Sequence, residues 1–228
     1  MAPNIVVTCA TALAVAVTAA GVHRSRRQRR WLSEVLCFWF DGDPDDLYEA
    51  RWFVPAGTAA QAALDDEVRA RFGAALVTAM GGGLGAWRRT PHGCVALIVL
   101  LDQMGRHAHR EQRDLIDAAD HRALEVCNEL LSRGWDRELS VAQLVFALMP
   151  LRHQPTVARL EDVMCALRHS RPHSVARLAF RPAPPLVSRL QGTRQQAAHL
   201  RRRGEPAVAA LRSAYSPPNA SPAGGWRP

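Results

Sequence analysis

The chain has 228 residues, of which 48% are hydrophobic, 22% charged and 6% aromatic. This length suits one domain with extensions, and the hydrophobic content excludes a chain that is disordered throughout. All 29 residues of the lysine and arginine class are arginine, which excludes Schiff-base catalysis by lysine and phosphate binding by a P-loop lysine.

Charge divides the chain into three parts that differ in sign. Residues 1–30 have five arginines and no acid, residues 31–149 have 18 acids and 11 arginines, and residues 150–228 have 13 arginines and three acids. We predict a hydrophobic anchor with a trailing arginine cluster in residues 1–30, a helical domain over 31–170 and a basic, proline-rich tail over 171–228. The five scattered cysteines contain no CxxC pair, which favours a reducing compartment over a disulfide scaffold.

Residues 5–22 form an uncharged, mostly apolar run, and five arginines follow between positions 24 and 30. About 17–25 apolar residues cross a bilayer as a helix, so we predict a membrane anchor. Arginines directly after the run resist translocation, which places the domain on the cytosolic side, at the mitochondrial outer membrane if the source is eukaryotic. The alternatives are a targeting peptide, or a buried or misassigned start on a soluble cytoplasmic or organellar protein.

Helical spacing begins at Trp31, in the segment WLSEVLCFWF. The next predicted helix covers residues 58–80 and has an apolar residue at every fourth position, which indicates one buried stripe: Leu64, Val68, Phe72, Leu76 and Met80.

Three more helices follow, and each has a recognisable start or end. Thr90 and Pro91 are an N-cap and first-turn proline for a helix that is apolar from residue 94 to 101. A helix over residues 114–132 follows, and Ser140 begins another that stops near Pro150. The sequence contains no convincing run of alternating β-branched residues, so we predict an all-α domain of packed antiparallel helical pairs.

Several blocks of the sequence occur in the order of one bacterial family. They are VLCFWF, RWF, LDDEVRARFG, AWRRTPHGCVALIVLLDQMGR, RGWDREL and FALMPLRH. Over about residues 31–167 the chain resembles the domain of unknown function 924 family, as a divergent member. The resemblance implies a helical fold related to tetratricopeptide-repeat proteins, and the family has no settled reaction to carry over.

The resemblance also implies a polar cluster. The family's polar positions fall on Asp102, Gln103, Arg106, Asp120 and His153. Arg110 lies near a further family arginine. This chain departs from the family pattern at four positions, and the departures favour a non-catalytic role: Cys37, Gly105, His107 and Arg152.

The polar cluster has two interpretations. Asp102 and Arg106 are four residues apart, so on a continuous helix they share a face and form an ion pair at the helix end. Alternatively the five residues form a pocket that binds a small anion or supports acid–base chemistry through His153. The histidines and cysteines lack zinc-site spacing, so we predict neither a metal site nor a cofactor.

From these observations we predict a non-catalytic scaffold, tethered to a membrane through residues 5–22, that presents a tetratricopeptide-like domain to a protein partner. The alternative is an enzyme or small-anion binder that uses the Asp/Gln/Arg/His cluster. The basic tail is predicted to be a solvated extension. Nucleic acid is not favoured as its ligand, because the tail has few aromatic residues on which bases could stack: Phe180, Tyr215 and Trp226.

Overall fold

The computed structural model describes residues 4–41, 50–153, 156–169, 198–200 and 202. Every regular element in these residues is helical, which confirms the predicted all-α class. The α-helices are α1 (Asn4–Trp39), α2 (Ala59–Met80), α3 (Pro91–Ile98), α4 (Gly105–Ala108), α5 (Arg113–Ser132), α6 (Val141–Ala147), α7 (Met149–His153) and α8 (Val157–His169). Short 3₁₀ turns lie at Ala50–Phe53, Gly85–Arg89 and Trp135–Glu138. Apart from residues 198–200 and 202, the predicted tail lies outside the described residues.

Helix α1 is longer than the sequence pattern predicts. One uninterrupted helix replaces the expected anchor and the separate helix beginning at Trp31, and its C-terminal end buries Val35, Phe38 and Trp39 in the core. Within the described part of the chain, no helix combines the length and the apolar character needed to cross a bilayer. The membrane span predicted for residues 5–22 is therefore not supported, and these residues continue directly into a helix that reaches the core.

The predicted helix starts are confirmed by their capping hydrogen bonds. The Thr58 hydroxyl accepts from the amide of Gln61, at 3.2 Å, where α2 begins. The Thr90 hydroxyl accepts from the amide of Gly93, at 3.1 Å, with Pro91 as the first residue of α3. Ser140 and Gln143 form a reciprocal capping box at the start of α6. These local signals fix where the core helices begin.

The core is built around α3, in which every residue from Gly93 onward is buried. Helix α3 packs against α1, α5 and α6, and the turn that follows it packs against α2 and α5. A helix that is apolar on all sides requires neighbours on all sides. Helix α2, which packs against that turn, buries its predicted stripe, with Leu64, Val68, Phe72 and Leu76 buried and Met80 partly buried.

A π-helical segment, Val99–Met104, joins α3 to α4. At its end the Gly105 amide donates to the carbonyl of Leu100, five residues earlier rather than four. This widened turn changes the direction in which the following side chains point relative to a regular helix. Asp102 and Gln103 lie on this segment, so the π-helical turn determines how the two residues enter the interior.

Helix α6 ends at Ala147, in agreement with the predicted stop near Pro150, and the short helix α7 follows. Pro150 is the second residue of α7, where its missing N–H costs no helical hydrogen bond. His153 is the last residue of α7. Helix α7 is not evident in the sequence, and it brings His153 back toward the core.

Candidate functional site

The structure brings together all five residues of the predicted polar cluster. Asp102 and Gln103 come from the π-helical segment, Arg106 from α4, Asp120 from α5 and His153 from the end of α7. Asp102 is completely buried and Asp120 is nearly so, whereas the side chains of Arg106 and His153 are each 29% exposed. The two buried acids therefore lie beneath two basic side chains that reach the surface.

Asp102 holds His153 in one orientation. The Nδ1 atom of His153 lies 2.6 Å from Oδ1 of Asp102, and the side-chain amide of Gln103 donates to Oδ2 of the same carboxylate. An ionised carboxylate can only accept hydrogen bonds, so Nδ1 of the imidazole must carry the hydrogen. The other ring nitrogen, Nε2, is then the acceptor of the neutral ring, on a side chain that solvent reaches.

Arg106 connects the two carboxylates. Its Nη2 atom lies 2.6 Å from Oδ2 of Asp120 and 3.7 Å from Oδ1 of Asp102. The ion pair predicted from the four-residue spacing of Asp102 and Arg106 is thus present, but the closer partner of the arginine is on α5. The arginine therefore links three helical segments and does more than close its own helix end.

The cluster contains polar atoms without hydrogen-bond partners. Among the described residues, these include Oδ1 of Asp120 and Nε of Arg106, both of which are buried. Burial, together with the charge of nearby Asp102, raises the pKa of Asp120, although Arg106 opposes the shift. Unpaired buried polar groups cost stability, so this cluster is not optimised for stability alone.

Asp102, Asp120 and His153 could together hold a metal ion, because one ligand atom from each lies within 4.8 Å of the others. No metal site was predicted from the sequence, because the spacing of histidines and cysteines does not reveal two acids from different helical segments. Arg106 already places a positive charge against both carboxylates. The acids are therefore partly compensated without an ion.

The chain matches a family of bacterial sequences. The sequence model of a family described as a bacterial protein of unknown function, DUF924, matches residues 35–202. The chain belongs to the DUF924 family. It is also similar to the solved structure of a protein of unknown function, ATU0120 from Agrobacterium tumefaciens, with 22% identity and a TM-score of 0.47, over 70% of this chain and 96% of that one. No curated protein matches this chain.

A second network in this DUF924 chain was not predicted. Asp65, on α2, accepts two hydrogen bonds from Arg110, at 2.6 and 2.7 Å, and its Oδ1 lies 2.7 Å from Nδ1 of His107. The structure thus separates Arg110 from the five cluster residues. His107 lies on α4 beside Arg106, and Arg110 comes two residues after the end of α4, so this short stretch of chain contributes basic residues to both networks.

The second network is fully paired. Burial raises the pKa of Asp65, but the hydrogen bonds from Arg110 and His107 outweigh this and leave the pKa below its usual value. Burial also lowers the pKa of His107, and Asp65 only partly offsets the effect. In the sequence Asp65 belongs to the acidic block LDDE, a pattern that is typical of an exposed helix face. The only available signal was its position beside Leu64 at the edge of the buried stripe.

Proposed function

We propose that this DUF924 protein binds a small polar molecule at the surface of the Asp102 cluster and that His153 exchanges a proton with it. The observation that supports the proposal most strongly is the buried Asp102 carboxylate, 2.6 Å from Nδ1 of a partly exposed His153. A carboxylate in this position fixes the tautomer and orientation of the ring and stabilises the imidazolium that forms when Nε2 takes a proton.

Arg106 and Gln103 would serve the same ligand in different ways. The guanidinium of Arg106 is partly exposed and attracts an anionic or electron-rich group, while its bond to Asp120 holds it in place. The Gln103 amide donates to Asp102, which keeps the carboxylate directed toward His153. This arrangement favours the alternative that the sequence analysis gave, an enzyme or small-anion binder, over a non-catalytic scaffold.

The proposal is tested by incubating the full chain with a small-molecule extract of cells and following each compound by mass spectrometry. We expect at least one compound to be bound or consumed by the wild type and to be left unchanged by His153→Ala. His121→Ala is the matched control, because His121 is an exposed histidine on α5 that is not one of the five cluster residues. Equal behaviour of both variants would contradict the proposal.

The competing proposal is a non-catalytic scaffold that binds a protein partner. The predicted membrane tether was part of that interpretation. The same preparation distinguishes the two, because a scaffold would leave the extract unchanged and would be recovered from cells with one protein at a fixed stoichiometry. In that case the Asp102 cluster would serve only to connect α5 and α7 to the core, and His153→Ala would reduce stability without changing any ligand.

A further inference from the structure

The part of α1 between residues 24 and 30, here called the arginine segment, is a dense positive surface. Its five arginines are all exposed. Arg30 pairs with Glu34 at 2.7 Å, and the guanidinium of Arg27 lies over the ring of Trp31 at 4.9 Å. Of the described residues, none offers a carboxylate to Arg24, Arg26 or Arg29 within ion-pair distance. The segment therefore has positive charge that the described residues do not neutralise.

The arginine segment is held in a fixed position. It is regular α-helix throughout, and the side-chain amide of Gln28 donates to the carbonyl of Gly83 at 2.9 Å, which ties the segment to the turn after α2. Successive residues on a helix differ by 100°, so arginines at these positions surround the helix. Their backbone needs no further ordering when they meet a surface of negative charges.

We propose that the arginine segment binds the phosphate headgroups of an anionic phospholipid bilayer. The planar guanidinium pairs with phosphate through two parallel hydrogen bonds, and clustered arginines are attracted by the negative potential of anionic leaflets. The same helix continues from the segment into residues 5–22, which have no charge. Positive charge bordering an apolar helical run suits the interface between headgroups and hydrocarbon, and docking there does not require the helix to cross the bilayer.

Nucleic acid phosphates would attract the same arginines, but the uncharged run beside them would then have no counterpart in the ligand. An anionic bilayer accounts for both features, because its phosphates match the arginine segment and its hydrocarbon matches the uncharged run. The proposal is independent of the small-molecule site, since the arginine segment and the Asp102 cluster share no residue.

The test is flotation of the full chain with vesicles of phosphatidylcholine alone and of phosphatidylcholine with 30% phosphatidylserine, at low and at high salt. We expect binding only to the anionic vesicles, and we expect high salt to weaken it. The variant Arg24→Gln/Arg26→Gln/Arg27→Gln/Arg29→Gln should lower the partition coefficient by roughly a thousandfold. The corresponding quadruple lysine variant should remain within a few-fold of wild type, since it retains the charge.

The control removes four exposed arginines elsewhere in the domain: Arg89, Arg113, Arg122 and Arg137. It has the same net charge as the α1 variant, so a loss of binding in the α1 variant alone would locate the interaction. Equal losses in both variants, binding to uncharged vesicles that salt does not weaken, or binding to RNA without binding to anionic vesicles would each overturn the proposal.

Discussion

Two networks each join a buried aspartate to a histidine and an arginine, and they differ in how completely they are paired. In the Asp65 network, both carboxylate oxygens are bonded to Arg110 and one also meets His107. In the Asp102 cluster, a completely buried carboxylate orients a histidine that reaches solvent. There, buried atoms of Arg106 and Asp120 have no partner.

If the proposed function holds, the comparison separates a structural role for the Asp65 network from a functional role for the Asp102 cluster. A buried charge is tolerated when its partners are complete, and a complete network contributes to holding helices together. In the Asp102 cluster, unpaired buried atoms of Arg106 and Asp120 lie beneath the partly exposed His153, and the rest of the fold must compensate for their cost. Such costs are common at binding and catalytic sites. We therefore expect changes in the Asp65 network to affect stability, and changes in the Asp102 cluster to affect chemistry first.

The largest expected effect is that of Asp65→Ala. The change leaves the guanidinium of Arg110 and Nδ1 of His107 without their buried acceptor. Asp65 is buried but the side chain of Arg110 is 39% exposed, so the cost is that of losing hydrogen bonds to a charged acceptor, about 2–3 kcal/mol, and we expect a loss of this size in the free energy of unfolding from urea denaturation. Asp66→Ala is the control, since Asp66 makes only an exposed pair with Arg69. A loss below about 1 kcal/mol for Asp65→Ala would remove the structural role from this network.

A smaller loss of stability is expected for Asp102→Asn, about 1–2 kcal/mol, because the shape is kept and one hydrogen bond is mismatched. We expect the change to affect the tautomer of His153 more than it affects the stability of the protein. Without the charged acceptor, the imidazole is no longer held with its hydrogen on Nδ1. The ¹⁵N spectrum of the histidines measures this, and we expect the Nδ1–H tautomer of His153 in the wild type and a mixture in the variant. An unchanged tautomer would contradict the account of the site.

The sequence was most informative where the structure depends on local chemistry. Caps at Thr58, Thr90 and Ser140 are set by a few neighbouring residues, and all three helix starts agree with the structure. The all-α class follows from periodicity that extends over whole helices. The five residues of the Asp102 cluster came from the family resemblance. Their contacts could not be deduced from spacing, because α5 and α7, which carry Asp120 and His153, meet the segment of residues 102–106 only in the folded chain.

Three features depended on tertiary packing and could not be deduced. The π-helical turn at Val99–Met104 carries no local sequence signal that distinguishes it from the helix around it. The continuity of α1 past the arginines runs against a change in composition that looks like a boundary. Asp65 is paired in the interior with His107 and Arg110, which lie 42 and 45 residues further along the chain, and nothing near it in sequence indicates this pairing.

The two networks should respond to pH with opposite signs. The folded pKa of His107 lies below its usual 6.5 because burial disfavours the charged ring. Its contribution to stability is complete above pH 6.5 and is lost as the pH falls through the folded value, and Asp65 adds a loss of the same sign below pH 3.8. We expect the free energy of unfolding to fall between pH 7 and 5. His107→Gln should flatten this decline, whereas His121→Gln should leave it unchanged.

Asp120 acts in the other direction. Its pKa is raised from 3.8 in the folded protein, so its ionised form is a cost that appears as the pH rises through the folded value and disappears as the pH falls. Asp120→Asn should therefore reduce the difference in stability between pH 3.8 and neutral pH that arises from this group. Denaturation curves across that range, compared with those of Asp117→Asn on the same helix, measure the effect. The same pH dependence in both variants would contradict it.

The smallest expected effect is that of Gly105→Ala, which tests whether the segment bearing Asp102 tolerates stiffening. A methyl group at this position meets the side chain of Ala119 at 3.6 Å, an ordinary contact, and the backbone is already helical. We expect the free energy of unfolding to rise by about 0.5–1 kcal/mol. Thermal denaturation measures this change, and a decrease would show that the π-helical turn relies on the smaller residue.

The most direct test of the central claim is the rate at which diethyl pyrocarbonate modifies each histidine of the intact protein, read by peptide mass spectrometry. The reagent attacks an unprotonated ring nitrogen, so the Asp102-oriented Nε2 of His153 should react faster than the exposed ring of His121. His107 should react slowly, and Asp102→Asn should remove the advantage of His153. If His153 reacts no faster than His121, or if Asp102→Asn leaves its rate unchanged, the Asp102 cluster is a structural network like that of Asp65.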